Sequence, residues 1–112
     1  MDASFDVQTL GGHTVLAARG EIDIAAVPAF RDQLRRLVED GSTSIVIDLS
    51  GVSFIDSAGV RAVLAARGLC AARDCEFTLI PGPEHVQRVF ELSGLIDHLP
   101  FRSQAAGALE GT

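Results

Sequence analysis

The run SIVIDL, Ser44 to Leu49, places three β-branched apolar residues in direct succession. A strand with one wet face alternates apolar and polar side chains, so an unbroken run belongs at the centre of a sheet, buried on both faces. Such a strand needs a neighbour on each edge and helices to cover it. Asp48, close to the end of the run, is its one charged residue.

The flanking sequence supplies those elements. SFDVQTL sets Phe5, Val7 and Thr9 on one face and Asp6 and Gln8 on the other, and Gly11-Gly12 turns it into TVLAARG, predicting a β-hairpin. In VPAFRDQLRRLVEDG, Val27, Phe30, Leu34, Leu37 and Val38 recur at helical spacing, with Pro28 in the first turn and Gly41 as the stop. A second helix starts at Ser57, turns Val60, Val63, Leu64, Ala66 and Cys70 inward, and ends near Arg73-Asp74; Arg67 interrupts its stripe and must snorkel or pair at the border. EFTLI, Glu76 to Ile80, is a further strand. After Pro81-Gly82-Pro83 a third helix carries Val86, Val89 and Phe90 and is closed by Gly94. A short strand from Ile96 to Phe101 and a final helix from Ser103 to Glu110 complete the expectation. The alternation predicts one α/β domain over residues 1–112. Its mixed sheet of four to five strands, an N-terminal hairpin followed by parallel strands, is flanked by about four helices.

Composition narrows the function. A chain of 112 residues can bury one core without metal or disulfide staples. Its net charge of -6 argues against nucleic acid, which calls for a surplus of Lys and Arg, and favours a protein partner with a basic face. Apolar residues make up 47%, yet no stretch approaches the roughly 20 needed to cross a bilayer, and no basic segment followed by an apolar one opens the chain. A cytoplasmic protein without membrane insertion is expected. Cys70 and Cys75 are too few for a disulfide framework and read as small buried residues, with a redox pair as the lesser alternative. No glycine-rich phosphate loop occurs, so no cofactor is expected.

The junction Asp56-Ser57-Ala58-Gly59 carries the chemistry, and three roles compete for Ser57. It can cap a helix, a contribution of about 1 kcal/mol. It can be a nucleophile, but His13, His85 and His98 fall in a hairpin turn, a helix start and a late strand, and no G-x-S-x-G elbow frames the serine. His13 and His85 read as solvated and His98 as a core-edge residue, none with partners at metal-ligand spacing. Or Ser57 is a hydroxyl presented for modification, because the free N–H groups and dipole of a helix start tolerate an added phosphate. Asp23, Asp48 and Asp56 are too dispersed for a magnesium site and read as strand-end caps or a polar rim. Neither a metal nor a catalytic residue is expected.

Together GEID at Gly20 to Asp23, IVIDLSGVSFIDSAGV at Ile45 to Val60, FTLI before a Pro-Gly turn, and the helix end from Val86 to Leu95 give a pattern that resembles the bacterial anti-sigma factor antagonists of the STAS domain family over nearly the whole chain. The resemblance implies a mixed sheet flanked by helices and a phosphorylatable serine at Ser57. It implies binding, in the unphosphorylated form, to an anti-sigma factor serine kinase, which releases the sigma factor; phosphorylation ends the binding and a phosphatase restores it. It also implies a partner surface of Asp23, Ser50, Gly51, Val52, Ser53, Phe54, Ile55, Asp56, Ala58, Gly59 and Arg61. Two departures stand out. Ala58 replaces a second hydroxyl found in many relatives, and Arg61, where a small residue is common, either narrows the choice of kinase or pairs with phosphoserine four residues back. The rival reading is a non-switching scaffold or regulatory subunit, in a stress-signalling or lipid-transport ABC complex, with Ser57 as a cap only. An esterase stands third.

Overall fold

Gly11 and Gly12 both take positive φ, 56° and 82°, the combination a two-residue hairpin turn demands and other residues rarely adopt. The turn joins β1 (Ser4–Leu10) to β2 (His13–Ile22) antiparallel, with Leu10 opposite His13. In the computed structural model, which describes residues 2–102, β2 continues into a sheet of order β1-β2-β3-β4 whose last three strands are parallel. β3 is Ser44–Ile55 and β4 is Glu76–Ile80; the crossovers are α1 (Val27–Glu39) and α2 (Ser57–Ala72), and α3 (Glu84–Leu92) follows β4. The mixed sheet is as expected, with three helices among the described residues; the helix expected from Ser103 to Glu110 lies outside them.

Ile45, Val46 and Ile47 are all buried, as the apolar run requires of a central strand. Ile45 and Ile47 face the main core, where Phe30, Leu34 and Val38 of α1, Val60, Val63 and Cys70 of α2, and Val86 and Phe90 of α3 pack. Val46 points the other way and forms a small second cluster with Val15 and Ile80. Each such side chain contributes about 1.5–3 kcal/mol through burial. Gly41, at φ 90°, ends α1: its N–H bonds the Val38 carbonyl and that of Ser42 bonds Leu37, closing the last turn.

Three expectations are corrected. The segment from Ile96 to Phe101 is a single 3-10 turn, Ile96–His98, followed by one parallel bridge between Phe101 and Leu79. Pro100, which has no N–H to offer a ladder, limits the pairing to its own carbonyl and the N–H of Arg102. His13 is buried rather than solvated, its Nδ1 2.6 Å from Ser44 Oγ and its Nε2 without a hydrogen-bond partner among the described residues. His98 is exposed, and its carbonyl receives the Arg67 guanidinium, which is how that interrupting arginine is satisfied.

Cys70 and Cys75 are buried free thiols. Burial, reinforced by neighbouring Cys75, pushes the Cys70 thiol up to about 12, and burial raises Cys75 as well. Both are held as thiols, the unreactive form.

Candidate functional site

β3 outruns its neighbour. Its last pair with β4 is Asp48 with Ile80, and the seven residues beyond have β2 on one side only. Along that stretch the register with β2 shifts twice: Leu49 and Ser50 stand against Ala18 alone, and Ser53 is skipped between the pairs Gly20–Val52 and Glu21–Phe54. Each bulge inserts one residue, so the usual alternation becomes a three-residue rhythm. Leu49, Val52 and Ile55 are buried, whereas Ser50, Gly51, Ser53 and Phe54 are exposed.

The strand ends where Asp56 N–H meets the Ile22 carbonyl at 3.4 Å, tying the end of β3 to the end of β2. Asp56 still has an extended backbone, and its carboxylate accepts the Gly59 N–H at 3.0 Å. Asp56 is therefore the cap of α2, and Ser57 is its first helical residue. This corrects the capping role weighed for Ser57: a carboxylate one residue earlier is already in place, at the geometry a cap needs. The Ser57 side chain is exposed and has no hydrogen-bond partner among the described residues.

Gly59 explains why the helix can start so close to the sheet. A Cβ at this position would lie 2.4 Å from the Ile22 carbonyl oxygen and 2.6 Å from Ile55 Cγ1. The residue is buried against β2 and β3 and offers nothing to a partner. Val52 and Ile55, 1% and 2% exposed, are also core residues. These three were expected on a partner surface; instead their side-chain positions are buried in the fold. Ser50 and Gly51, though exposed, sit roughly 15 Å back along the strand, beside Arg19 and Asp48, and do not join Ser57.

The other expected residues lie at the joined ends of β2 and β3 and in the first turns of α2: Asp23 just past β2, Ser53 and Phe54 exposed at the end of β3, Asp56 and Ala58 on either side of Ser57, and Arg61 exposed one turn along α2. Asp23 accepts the N–H groups of Ala25 and Ala26 at 3.1 and 3.2 Å, which shapes the loop after β2. Asp48 likewise accepts Ser50 N–H at 2.9 Å, so all three carboxylates act as local backbone caps. Beyond Asp23 a cavity of about 290 Å³ is rimmed by Asp2, Glu21 and Asp23, which makes this flank acidic.

Two residues escaped the sequence reading. Ile24, two residues past the Ile22 carbonyl, is 74% exposed, and with Phe54 at 46% it puts large apolar surface on both strand ends beside Ser57. An isolated isoleucine in a turn belongs to no periodic stripe, so nothing in the chain marked it. His85 is exposed, as expected, but its Nε2 also lies 2.6 Å from the Ser53 carbonyl and braces the open edge of β3. Among the described residues no histidine hydrogen-bonds Ser57: His13 begins β2, at the opposite end of the parallel strands, His85 meets the Ser53 carbonyl, and His98 lies in the 3-10 turn after α3.

A family model described as STAS domain matches residues 4–108. The anti-sigma-F factor antagonist RsfB of Mycobacterium tuberculosis is 32% identical over 100 residues, 89% of this chain and 81% of that protein. Among solved structures, an anti-sigma factor antagonist from Mycobacterium paratuberculosis superposes with a TM-score of 0.87 at 26% identity, covering 98% of this chain and 93% of the other. The anti-sigma factor antagonist SpoIIAA in its unphosphorylated form gives 0.77 at 26% identity, with 97% and 98% covered.

Proposed function

Because the chain belongs to the STAS domain family, we propose that it is an anti-sigma factor antagonist that binds an anti-sigma factor serine kinase and is switched off by phosphorylation of Ser57. The observation that carries this reading is an exposed hydroxyl, without a partner among the described residues, on the first residue of α2, with Phe54 and Ile24 exposed on the strand ends beside it. Because Asp56 does the capping, the hydroxyl is free to be modified and the helix start does not depend on it.

The physics of the switch follows. Unmodified, the patch offers apolar anchors and neutral hydroxyls, which cost little to desolvate on docking. A phosphate of about -1.5 to -2 charge on Ser57 adds bulk beside Asp56 and near Asp23. Burying such an uncompensated charge costs about 3–5 kcal/mol, or on the order of a hundred- to several-thousand-fold in Kd. A partner with a basic face, attracted by the net charge of -6 and by the acids around Asp23, fits the unmodified state. A phosphatase acting on phosphorylated Ser57 completes the cycle.

Kinase binding by Ser57→Asp and Ser57→Ala tests the reading. Ser57→Asp is expected to fold normally and lose the kinase, and Ser57→Ala to bind constitutively. Equal binding by both would refute the switch and leave the scaffold reading.

A further inference from the structure

α1 and α2 lie side by side over the sheet, and between them opens a cleft of about 160 Å³. Its floor is Phe30 and Leu34 of α1 with Ala62 and Ala66 of α2, all buried, and Ala65 on its wall is exposed. The volume suits one large aliphatic or aromatic side chain. Arg31 and Arg35, one turn apart on α1, stand on its rim, both exposed. Arg35 meets Asp32 at 3.6 Å, a well-exposed and therefore weak pair, and Arg31 has no ion-pair partner among the described residues. In a chain of net charge -6, these cations flank an apolar hole.

The cleft also lies further along the helix that begins at Ser57. On α2, Ser57, Arg61 and Ala65 are spaced four apart and share one face. Ala65, on the wall of the cleft, lies two turns, or about 12 Å, along the helix axis from Ser57, and Arg61 lies between, exposed and without an ion-pair partner among the described residues. We propose that this cleft is a second anchor point for the anti-sigma factor, taking an acidic segment of that partner with one large apolar side chain seated between α1 and α2 and its carboxylates on Arg31 and Arg35. The inference rests on the reading above and extends it. The acidic flank around Asp23 and the arginine-rimmed cleft then demand opposite charges of the partner, and that opposition sets the orientation in which it docks. Arg61 joins the cationic side of that pattern.

The test is calorimetric titration of the purified anti-sigma factor kinase of the source organism into wild type, Ser57→Asp, Ala65→Trp, Arg31→Gln/Arg35→Gln and Arg31→Glu/Arg35→Glu, with thermal unfolding as a control. Ala65→Trp, which fills the hole, and the double Glu variant are each expected to weaken binding about tenfold or more. The double Gln variant is expected to flatten the salt dependence of the affinity without changing Tm, so the inference remains testable even if the tryptophan fails to fold. Wild-type affinity in the filled and charge-reversed variants, with Ser57→Asp still abolishing binding, overturns the second anchor and leaves the switch standing. Binding by Ser57→Asp equal to wild type removes both. A change in self-association of the cleft variants, with kinase affinity intact, assigns the cleft to a second copy and overturns the proposal.

Discussion

α2 contains two glycines, and the structure assigns them opposite signs. Replacing Gly59 with alanine puts a methyl group 2.4 Å from the Ile22 carbonyl oxygen and 2.6 Å from Ile55 Cγ1, where ordinary contact begins at 3.4 Å. The first turn must retreat by about 1 Å, which lengthens the Asp56 N–H contact to Ile22, already 3.4 Å, beyond hydrogen bonding. Overpacking of this kind costs about 1–3 kcal/mol, the lost hydrogen bond about 1 kcal/mol, and the better helix propensity of alanine returns up to about 1 kcal/mol. A net loss of about 2 kcal/mol corresponds to a fall in Tm on the order of 10 °C for a domain of this size. At Gly68 a methyl group meets nothing within 4 Å, so Gly68→Ala is expected to stabilise by about 0.5–1 kcal/mol. Thermal unfolding followed by circular dichroism at 222 nm reads both. A Gly59→Ala protein as stable as Gly68→Ala would show that helix propensity alone governs the two sites, and would refute close packing at the start of α2.

Three further outcomes are expected. Asp56→Ala removes the carboxylate that caps Gly59 N–H and lowers stability in urea titration by about 1 kcal/mol, whereas Asp56→Asn keeps most of it and Ser57→Ala changes it by less than either. Stability holds up to the ordinary thiol value of 9.0 and then falls by up to about 4 kcal/mol as pH rises toward about 12, because the fold raises the Cys70 thiol and so favours its protonated form. The chain has no Tyr and its cations are all arginine, and Cys75, whose thiol is also raised by burial, titrates in the same window; Cys70→Ala should therefore lessen the fall and Cys70→Ala/Cys75→Ala flatten it, in urea titrations run from pH 8 to 12. Truncating the exposed anchors, Ile24→Ala or Phe54→Ala, leaves Tm within a few degrees and weakens kinase binding about tenfold, measured by titration.

Much of this architecture was legible because its signals are local. The SIVIDL run demanded a central strand, the Gly11-Gly12 pair a tight hairpin, and the stripe from Phe30 to Val38 a helix closed at Gly41. The strand expected from Ser44 to Leu49 runs on to Ile55, an extension the sequence does not mark because two bulges replace the two-residue period with a three-residue one, and register against β2 is a property of two strands rather than of one. Val52 and Ile55 come to the partner surface through the family resemblance, which carries positions over without their burial; the three-residue rhythm turns both inward. Gly59 is placed on the partner surface by the resemblance alone; only the position of the Ile22 carbonyl shows that its missing Cβ makes room inside the fold. Ser57 itself was found through its setting, a strand giving way to a helix at Asp-Ser-Ala-Gly, although which of the first two residues caps depends on backbone geometry that four letters do not encode.

Incubation of the chain with the proposed partner, an anti-sigma factor serine kinase of the source organism, and ATP, followed by intact-mass and fragment analysis and by a binding titration of the product, bears most directly on the account. One added phosphate, on Ser57, absent from Ser57→Ala and accompanied by loss of kinase binding, is the predicted result. Phosphate on another residue, or a phosphorylated chain that binds as tightly as before, would contradict it.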